Sequence, residues 1–302
     1  MRLSEFEGQF FEVVRDAEFE TMGILVSDPK RPYLCFAEAD NFLKSACAKE
    51  DITCIIVTEA LADNEVLVES GKGIAVCKSP RTAFYEMHNW LADNKEGYAN
   101  SYEETTIGEG CIIHPSASIP SHGVKIGNNV LIEEFVVIRP GSVIGDNVVL
   151  RAGVVIGGSN YSVCHHADGK LFLVKQIGNV EIGNDVEISY HAVIGCGMFP
   201  YNVTTVKSYS CIDTGALIAH NSTIGHNTMV MAQSQVSGST VIGNGVRISP
   251  QAIVSNCLEV GDDVTVTIGS TVVNNVKKGQ KVSGNFAIEH SKFLAWHRKK
   301  LR

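Results

Sequence analysis

The sequence predicts a mainly β protein: a parallel β-helix that follows a small α/β domain and precedes a short C-terminal helix. The first observation is that aliphatic residues recur at every sixth position over long stretches. Helices repeat their faces about every 3.6 residues and strands about every two, so neither explains this period. A triangular coil explains it, because each hexad can supply one short strand and one corner, so that three hexads close a turn. The series are Ile107, Ile113 and Ile119; Ile126, Ile132, Ile138, Ile144, Leu150 and Ile156; Ile182, Ile188 and Ile194; and Ile212, Ile218, Ile224, Val230, Val236, Ile242, Ile248, Val254, Val260, Val266 and Val272.

The second observation concerns the residues between these aliphatics. Four positions after an aliphatic, a second inward-facing residue is expected, and it is small or β-branched. Examples are Thr228, Ser234, Thr240, Val246, Ala252, Val264 and Ser270. The corners read Gly-Asn-Asn, Gly-Asp-Asn or Gly-Asn-Gly, residues that tolerate left-handed backbone angles. We therefore expect one stack of coils over residues 106–283.

Two segments interrupt the period, residues 157–178 and residues 195–211. Loops that leave a rigid solenoid are good places for substrate contacts. A surface excursion without a role explains them equally well.

The two ends of the chain lack the repeat. Residues 1–105 contain apolar runs at 34–37, 52–57 and 73–77 that predict strands, and Pro80 begins a predicted helix. These features predict a small nucleotide-binding α/β domain. Residues 284–302, after Gly284-Asn285, predict a short helix, which caps the coils or docks an acidic partner through its charge. Its basic residues are Lys292, Arg298, Lys299, Lys300 and Arg302.

The composition excludes several classes of protein. The formal charge of −8 argues against nucleic acid as a partner. No apolar run approaches the roughly 20 residues that a membrane-spanning helix needs. The first residues carry acids where a signal peptide has a basic and then an apolar stretch, and the nine cysteines form no C-x-x-C pair. We expect a cytoplasmic protein with reduced thiols.

A histidine that could act as a general base is the first candidate for chemistry. The predicted coils contain His114, His122, His191, His220 and His226. His220 follows the inward Ile218 by two residues and so lies near a corner. Asp213 precedes it on the previous face and could orient its ring. Gly238, one full turn later, could offer its backbone N–H to an oxyanion in the same cleft.

Several of these motifs resemble the UDP-3-O-acylglucosamine N-acyltransferases of lipid A synthesis. The resemblance runs from about Phe36 to the end of the coils. It is strongest at Ile218-Ala219-His220-Asn221 with Ile224-Gly225, at Val174-Lys175-Gln176-Ile177-Gly178, and at Gly261-Asp262-Asp263-Val264-Thr265-Val266-Thr267.

The resemblance implies a left-handed parallel β-helix, a homotrimer and a set of site residues. His220 falls on the family's catalytic base, Asp213 on its aspartate partner and Gly238 on its oxyanion glycine. Phe36 and Phe42 match the spacing of two aromatics that stack on the uracil ring. Asn221, in the matched motif, and Cys257 are the remaining candidates for substrate binding.

This chain also departs from the family. Cys257 stands where the family has a second active-site histidine. Residues 268–273 replace a methionine-rich stretch that gauges a long acyl chain, and the C-terminal helical extension is short. The function that fits these differences is N-acylation of a nucleotide-linked amino sugar for surface polysaccharide or lipopolysaccharide synthesis. The acyl group would come from acyl-CoA or acyl carrier protein as co-substrate, without a resident cofactor or metal.

Three alternatives remain open at this point. The first is the lipid A enzyme proper, with an acyl carrier protein as donor. The second is a zinc carbonic anhydrase on the same helix, in which three histidines would bridge two subunits and His220 and His226 would be two of these ligands. The third is a trimer scaffold without catalytic activity.

Overall fold

The computed structural model describes residues 1–284, 287 and 289–300, and the chain forms two compact units. The first unit comprises Met1–Glu103, Ser159–Asn179 and Cys196–Val203. The second comprises Glu104–Gly158, Val180–Gly195 and the residues from Thr204 onward. Asn285 at the predicted start of the C-terminal segment and the basic Arg302 lie outside the described residues.

A five-stranded sheet forms the centre of the first unit. Its order is β1-β5-β4-β3-β2, with β1 antiparallel to β5 and the other neighbours parallel. The strands are β1 (Glu12–Arg15), β2 (Thr21–Met22), β3 (Tyr33–Ala37), β4 (Ile52–Val57) and β5 (Gly73–Val76), and the helices are α1 (Asp40–Cys47), α2 (Glu59–Ala62), α3 (Glu65–Glu69) and α4 (Pro80–Asn94). The three strands predicted from apolar runs and the helix at Pro80 are thus confirmed. Every residue of β4 except Thr53 is buried, which is why the rest of its sequence is apolar.

Three parallel sheets form the second unit, each of them one face of the coil. Face one contains β6 (Thr106–Ile107), β8 (Val124–Ile126), β11 (Ser142–Ile144), β16 (Asn179–Ile182), β19 (Val203–Val206), β22 (Thr223–Ile224), β25 (Val241–Ile242) and β28 (Glu259–Val260). Face two contains β7 (Ile112–Ile113), β9 (Leu131–Ile132), β12 (Val149–Leu150), β17 (Glu187–Ile188), β20 (Cys211–Ile212), β23 (Met229–Val230), β26 (Arg247–Ile248), β29 (Thr265–Val266) and β31 (Lys281–Val282). Face three contains β10 (Val137–Ile138), β13 (Val155–Gly158), β18 (Val193–Gly195), β21 (Leu217–Ile218), β24 (Gln235–Val236), β27 (Ile253–Val254) and β30 (Thr271–Val272).

The register of these sheets explains the hexad period. Leu217 pairs with Gln235 and Ile218 with Val236, so each strand pairs with the strand eighteen residues later. The repeating aliphatics from Ile126 onward are buried, as are the seven small or β-branched residues predicted to face inward. The first hexads differ: Ile107 is 49% exposed, because the coil that begins the stack has a neighbouring coil on one side only.

Two insertions interrupt the stack without shifting its register. Val149 pairs with Glu187, thirty-eight residues on, and Glu187 pairs with Cys211, twenty-four residues on. Compared with the usual separation of eighteen residues, the first insertion therefore adds twenty residues and the second adds six. The second interruption is shorter than the sequence predicted, because β19 already pairs with β22 and Val206 already points inward.

The last described element is α5 (His290–Lys300), which agrees with the predicted C-terminal helix. Lys292, Arg298 and Lys299 on it are exposed. Across the described residues, no helix has the length and apolar character needed to cross a membrane.

The first insertion belongs to the first unit because it packs on α4. It contains a hairpin of β14 (Val163–His165) and β15 (Leu171–Leu173). Asn89 of α4 donates its side-chain N–H to the carbonyl of Leu173 at 2.8 Å and accepts the N–H of Lys175 at 2.9 Å. One amide side chain therefore satisfies a donor and an acceptor of the inserted backbone, as a neighbouring strand would.

His88 of α4 completes this attachment and is fully buried. Its Nε2 lies 3.0 Å from the carbonyl oxygen of Lys175, and its Nδ1 lies 2.8 Å from the hydroxyl of Tyr98. A carbonyl can only accept, so Nε2 carries the proton and Nδ1 accepts from Tyr98. The neutral ring therefore satisfies both partners, and burial lowers the pKa of His88 to about 4.

We predict that this histidine makes the first unit acid-labile. Below the ordinary pKa of 6.5 the unfolded chain binds a proton that the folded chain does not, so stability falls until the pH reaches about 4. Between about pH 7.5 and pH 5 the expected loss is about 2 kcal/mol, since one pKa unit corresponds to about 1.4 kcal/mol. Urea unfolding followed by Trp90 fluorescence, in a Trp296→Phe background, measures it.

His88→Gln should be less stable at neutral pH but should lose this part of the pH dependence. The exposed His165 provides the control, and His165→Gln should keep the full dependence. An unchanged pH dependence in His88→Gln would show that His88 is not its source.

Candidate active site

The candidate base His220 lies at the edge where face three turns into face one, which we call the His220 edge. It comprises residues 219–222 after β21 and their equivalents 237–240 after β24 and 255–258 after β27. Asn221 makes the turn possible by adopting a left-handed φ of 60°. Its N–H donates to the hydroxyl of the buried Thr204 at 2.9 Å, which fixes the backbone beside His220.

Gly238 occupies the position equivalent to His220 one coil later. A Cβ on Gly238 would lie 2.5 Å from Cε1 and 2.6 Å from Nε2 of His220. Only glycine therefore leaves room for the ring, although the backbone of Gly238 needs no left-handed angle. The carbonyl of His220 accepts the N–H of Ser239 at 2.8 Å, so the two coils are held together at this point.

The N–H of Gly238 has no hydrogen-bond partner within the described residues, whereas its carbonyl accepts the N–H of Cys257 at 3.0 Å. A backbone donor without a partner, next to a histidine ring, matches the requirement for an oxyanion site. The structure thus brings together two of the three catalytic residues predicted from the sequence.

The His220 ring is half-buried, and burial lowers its pKa below the ordinary value of 6.5. The ring is therefore neutral at neutral pH and able to accept a proton. Its Nδ1 is buried without a hydrogen-bond partner. A buried nitrogen without a hydrogen-bond partner is costly.

Asp213 does not supply that group within one chain. It follows β20 at the edge between faces two and three, so the whole of face three separates it from the His220 edge. Its carboxylate instead accepts the N–H of Thr214 at 2.7 Å. The expectation that Asp213 orients His220 from the previous face of the same chain is therefore wrong.

The other candidates from the coils share the His220 edge. The side-chain amide of Asn221 lies 3.4 Å from the hydroxyl of Ser239. Cys257 has a left-handed φ of 57° and an exposed thiol, and it follows Ser239 by one coil. Both remain candidates for contact with substrate.

Phe36 and Phe42 lie in the first unit and in different environments. Phe36, on β3, is half-buried, and its ring centroid lies 5.0 Å from that of Phe84 and 6.0 Å from that of Tyr85. Phe42, on α1, is 54% exposed. Their rings do not pack on each other, and their role in holding a base stays a prediction.

The zinc alternative requires histidines that converge. His226 follows β22 at the edge between faces one and two, away from the His220 edge. The described part of the chain contains no cluster of three histidine, cysteine or acidic side chains able to hold a metal ion. The described residues of one chain therefore do not form the site by themselves, and the alternative, which takes ligands from two subunits, stays untested.

The sequence reasoning missed the buried hydroxyls beneath the His220 edge, Thr204, Ser222 and Thr240. They follow one another at intervals of eighteen residues, so they stack in successive coils. Thr240 was identified only as a small inward residue. The sequence contained a signal for these residues, because hydroxyl side chains that recur every eighteen residues stack inside the coil and need buried hydrogen-bond partners there.

Known proteins share both the repeat and the fold. Residues 123–158 and 221–256 match the family Bacterial transferase hexapeptide (six repeats). The UDP-3-O-acylglucosamine N-acyltransferase of Coxiella burnetii is 28% identical over 229 residues, which cover 66% of this chain and 64% of that protein. This chain thus matches less than two thirds of that relative's length. The enzyme of the same name from Helicobacter pylori is 31% identical over 149 residues, covering 43% of this chain and 44% of that protein.

A solved structure shares the fold of much of this chain. The UDP-N-acetylglucosamine acyltransferase from Campylobacter jejuni matches with a TM-score of 0.55 at 18% identity, covering 65% of this chain and 79% of that one. At this identity the likeness concerns the fold alone.

The close approach of Gly238 to His220 yields a prediction. Gly238→Ala should push the ring outward, because the new Cβ would lie 2.5 Å from its Cε1. The displaced ring should be more hydrated, so the pKa of His220 should rise towards 6.5, as measured by NMR titration. Asn256→Ala, at the equivalent exposed position one coil on, should leave the titration unchanged. An unmoved His220 titration in Gly238→Ala would contradict the contact.

The sheet topology and the structural likeness together identify the fold of the second unit as a left-handed parallel β-helix, and residues 123–158 and 221–256 within it match bacterial transferase hexapeptide repeats.

Proposed function

We propose that this protein transfers an acyl group from a thioester to the amine of a nucleotide-linked amino sugar. The observation that carries the proposal is the pairing of a neutral, half-buried His220 with the unpartnered N–H of Gly238. Amide formation from a thioester needs a base for the amine proton and a donor for the oxyanion, and this pair offers both.

The reaction uses these groups in two steps. The neutral amine attacks the thioester carbonyl, a C–N bond forms, and Nε2 of His220 removes a proton from the nitrogen. The carbonyl oxygen becomes an oxyanion that accepts the N–H of Gly238. When the tetrahedral intermediate collapses, the C–S bond breaks and the imidazolium of His220 returns its proton to the departing thiolate. The products are an amide and a free thiol.

The names of the similar proteins support the substrate class, since they are UDP-sugar acyltransferases. Phe36 and Phe42 would contact the nucleotide base in the first unit, and Asn221 and Cys257 would contact substrate at the His220 edge. The donor is acyl-CoA or acyl carrier protein, acting as a co-substrate, and no resident cofactor takes part. We place the reaction in the cytoplasm, where nine unpaired cysteines would stay reduced.

A second candidate is the lipid A enzyme proper, which would acylate UDP-3-O-acylglucosamine. The name of the similar Coxiella burnetii protein favours it. The exposed Lys292, Arg298 and Lys299 of α5 also favour it, because an acidic carrier protein would be attracted to them. Cys257 in place of a second histidine favours the first candidate. Turnover of a short acyl-CoA with a nucleotide amino sugar, compared with a long acyl carrier protein and UDP-3-O-acylglucosamine, distinguishes the two.

We further propose that the active protein is a homotrimer and that Asp213 acts on the His220 of another copy. Within one chain Nδ1 of His220 is buried and unpaired, and Asp213 lies at a different edge. Closed threefold symmetry would repeat the same contact three times, with one copy's Asp213 beside the next copy's His220. The carboxylate would then hold the proton on Nδ1 and leave Nε2 free to accept.

The role of the base gives the next prediction. His220→Ala should reduce kcat by roughly 10²–10⁴, the usual contribution of general-base catalysis, without changing the fold. Asp213→Asn should lose less, because it orients the base but takes no proton from substrate. His226→Ala is the matched control at a solvated corner and should keep normal kcat. Normal turnover in His220→Ala, measured by thiol release, would refute the assignment of the base.

The shared site gives a prediction about mixed trimers. The assembled protein should have three times the chain mass of 32.6 kDa, or about 98 kDa, by light scattering. When the impaired His220→Ala and Asp213→Ala chains are refolded together, some sites combine an intact His220 with an intact Asp213 from a neighbouring copy, so activity should rise above that of either variant alone. Mixed trimers without any recovered activity would show that both residues act within one chain.

A further inference from the structure

The N–H of Gly238 belongs to the peptide bond between Ser237 and Gly238, so the carbonyl of that peptide bears directly on the proposed oxyanion site. The carbonyl oxygen of Ser237 accepts the hydroxyl of Ser222 at 2.9 Å. No backbone N–H in the described part of the chain bonds this oxygen. Ser222 is completely buried beneath the His220 edge.

We infer that Ser222 is a positioning residue, which orients and polarises the Ser237–Gly238 peptide so that its N–H can bind the oxyanion. The inference rests on the proposed function and deepens it. A hydrogen bond to a peptide carbonyl draws electron density towards oxygen and strengthens the N–H of the same peptide as a donor. It also holds the orientation of the peptide plane, which could otherwise rotate about the soft backbone dihedrals of Ser237 and Gly238.

Ser222 also contacts the other end of the same turn. Its oxygen lies 3.4 Å from the N–H of Thr240 and can accept from it. One hydroxyl therefore ties the backbone on both sides of Gly238 to the coil that carries His220. This arrangement fixes the distance between the base and the oxyanion donor.

The coil itself does not require a hydroxyl at this kind of position. At the edge between faces one and two, the equivalent inward slots hold Val246 and Val264, both completely buried. An aliphatic residue thus fills the slot with full burial. What a hydroxyl adds is a directional bond to the next coil, and at Ser222 that bond reaches the peptide beneath the His220 ring.

The chain offers a closely matched control in Ser234. Ser234 is buried to the same extent, and its hydroxyl donates to the carbonyl of Ser249 at 2.9 Å, again fifteen residues later. It lies at the edge between faces two and three, away from His220 and Gly238. Ser222→Ala and Ser234→Ala therefore each remove one buried hydroxyl from an inward-facing position. They differ in which peptide carbonyl loses its hydrogen bond.

The test compares these variants in the full-length protein, with a nucleotide amino sugar and an acyl-CoA as the substrates. Ser222→Ala should lower kcat about tenfold with KM unchanged, because an orienting bond matters when the oxyanion forms. Ser222→Thr should restore kcat, since threonine already occupies the stacked slots at 204 and 240. Ser234→Ala should match Ser222→Ala in stability but keep normal kcat.

A second measurement does not depend on turnover. In protein labelled with ¹⁵N-glycine, the Gly238 amide is assigned by its absence in Gly238→Ala. It should shift in Ser222→Ala and stay in place in Ser234→Ala. An unmoved Gly238 resonance, or equal kcat in the two serine variants, would overturn the inference. If His220→Ala kept normal turnover instead, the proposed function would fail. A loss of activity in His220→Ala with none in Ser222→Ala would overturn the role of Ser222 alone.

Discussion

Parallel pairing of each coil with the next, at a separation of eighteen residues through most of the stack, is the constraint on which the rest of this structure depends. It fixes three inward aliphatics per turn, so the core is a stack of equivalent layers, each supported by its neighbours. It also leaves only the corners free to vary, because each strand is bonded on both sides. The two insertions obey the same rule: they lengthen corners by twenty and six residues, while the paired strands keep their register.

The same constraint explains why His220 and Gly238 meet at an edge of the coil. Residues at one corner stack at the spacing of neighbouring strands, about 4.8 Å, so a side chain there always meets the corner of the next coil. At the His220 edge the neighbour is glycine, and the ring lies against a bare peptide whose N–H is unpaired. The two groups that we propose as base and oxyanion donor are thereby held by neighbouring coils.

The sequence was sufficient to predict the structure wherever the six-residue period alone determined the position of a residue. It predicted the buried aliphatics, and it predicted the approach of His220 and Gly238 because a separation of eighteen residues means adjacent coils. It did not predict the position of Asp213 relative to His220 within one chain. The seven residues from Asp213 to His220 cross a whole face, so the two residues lie at different edges of the coil. The packing of the first insertion on α4 could not be predicted from the sequence either. That packing depends on Asn89 and His88 satisfying backbone groups about eighty-five residues away, and no periodic pattern encodes such a match.

The hydroxyls inside the coil show how one slot serves both fold and function. A buried hydroxyl without a partner costs about 1–3 kcal/mol, so serine or threonine is tolerated only where an acceptor is within reach. In this coil the acceptor is the carbonyl that opens the corner of the next turn: Ser237 for Ser222, Ser255 for Thr240 and Ser249 for Ser234. Packing therefore dictates that each hydroxyl must bond a corner peptide. The role that we propose for Ser222 depends on which peptide it bonds, and that peptide carries the N–H of Gly238 beside His220.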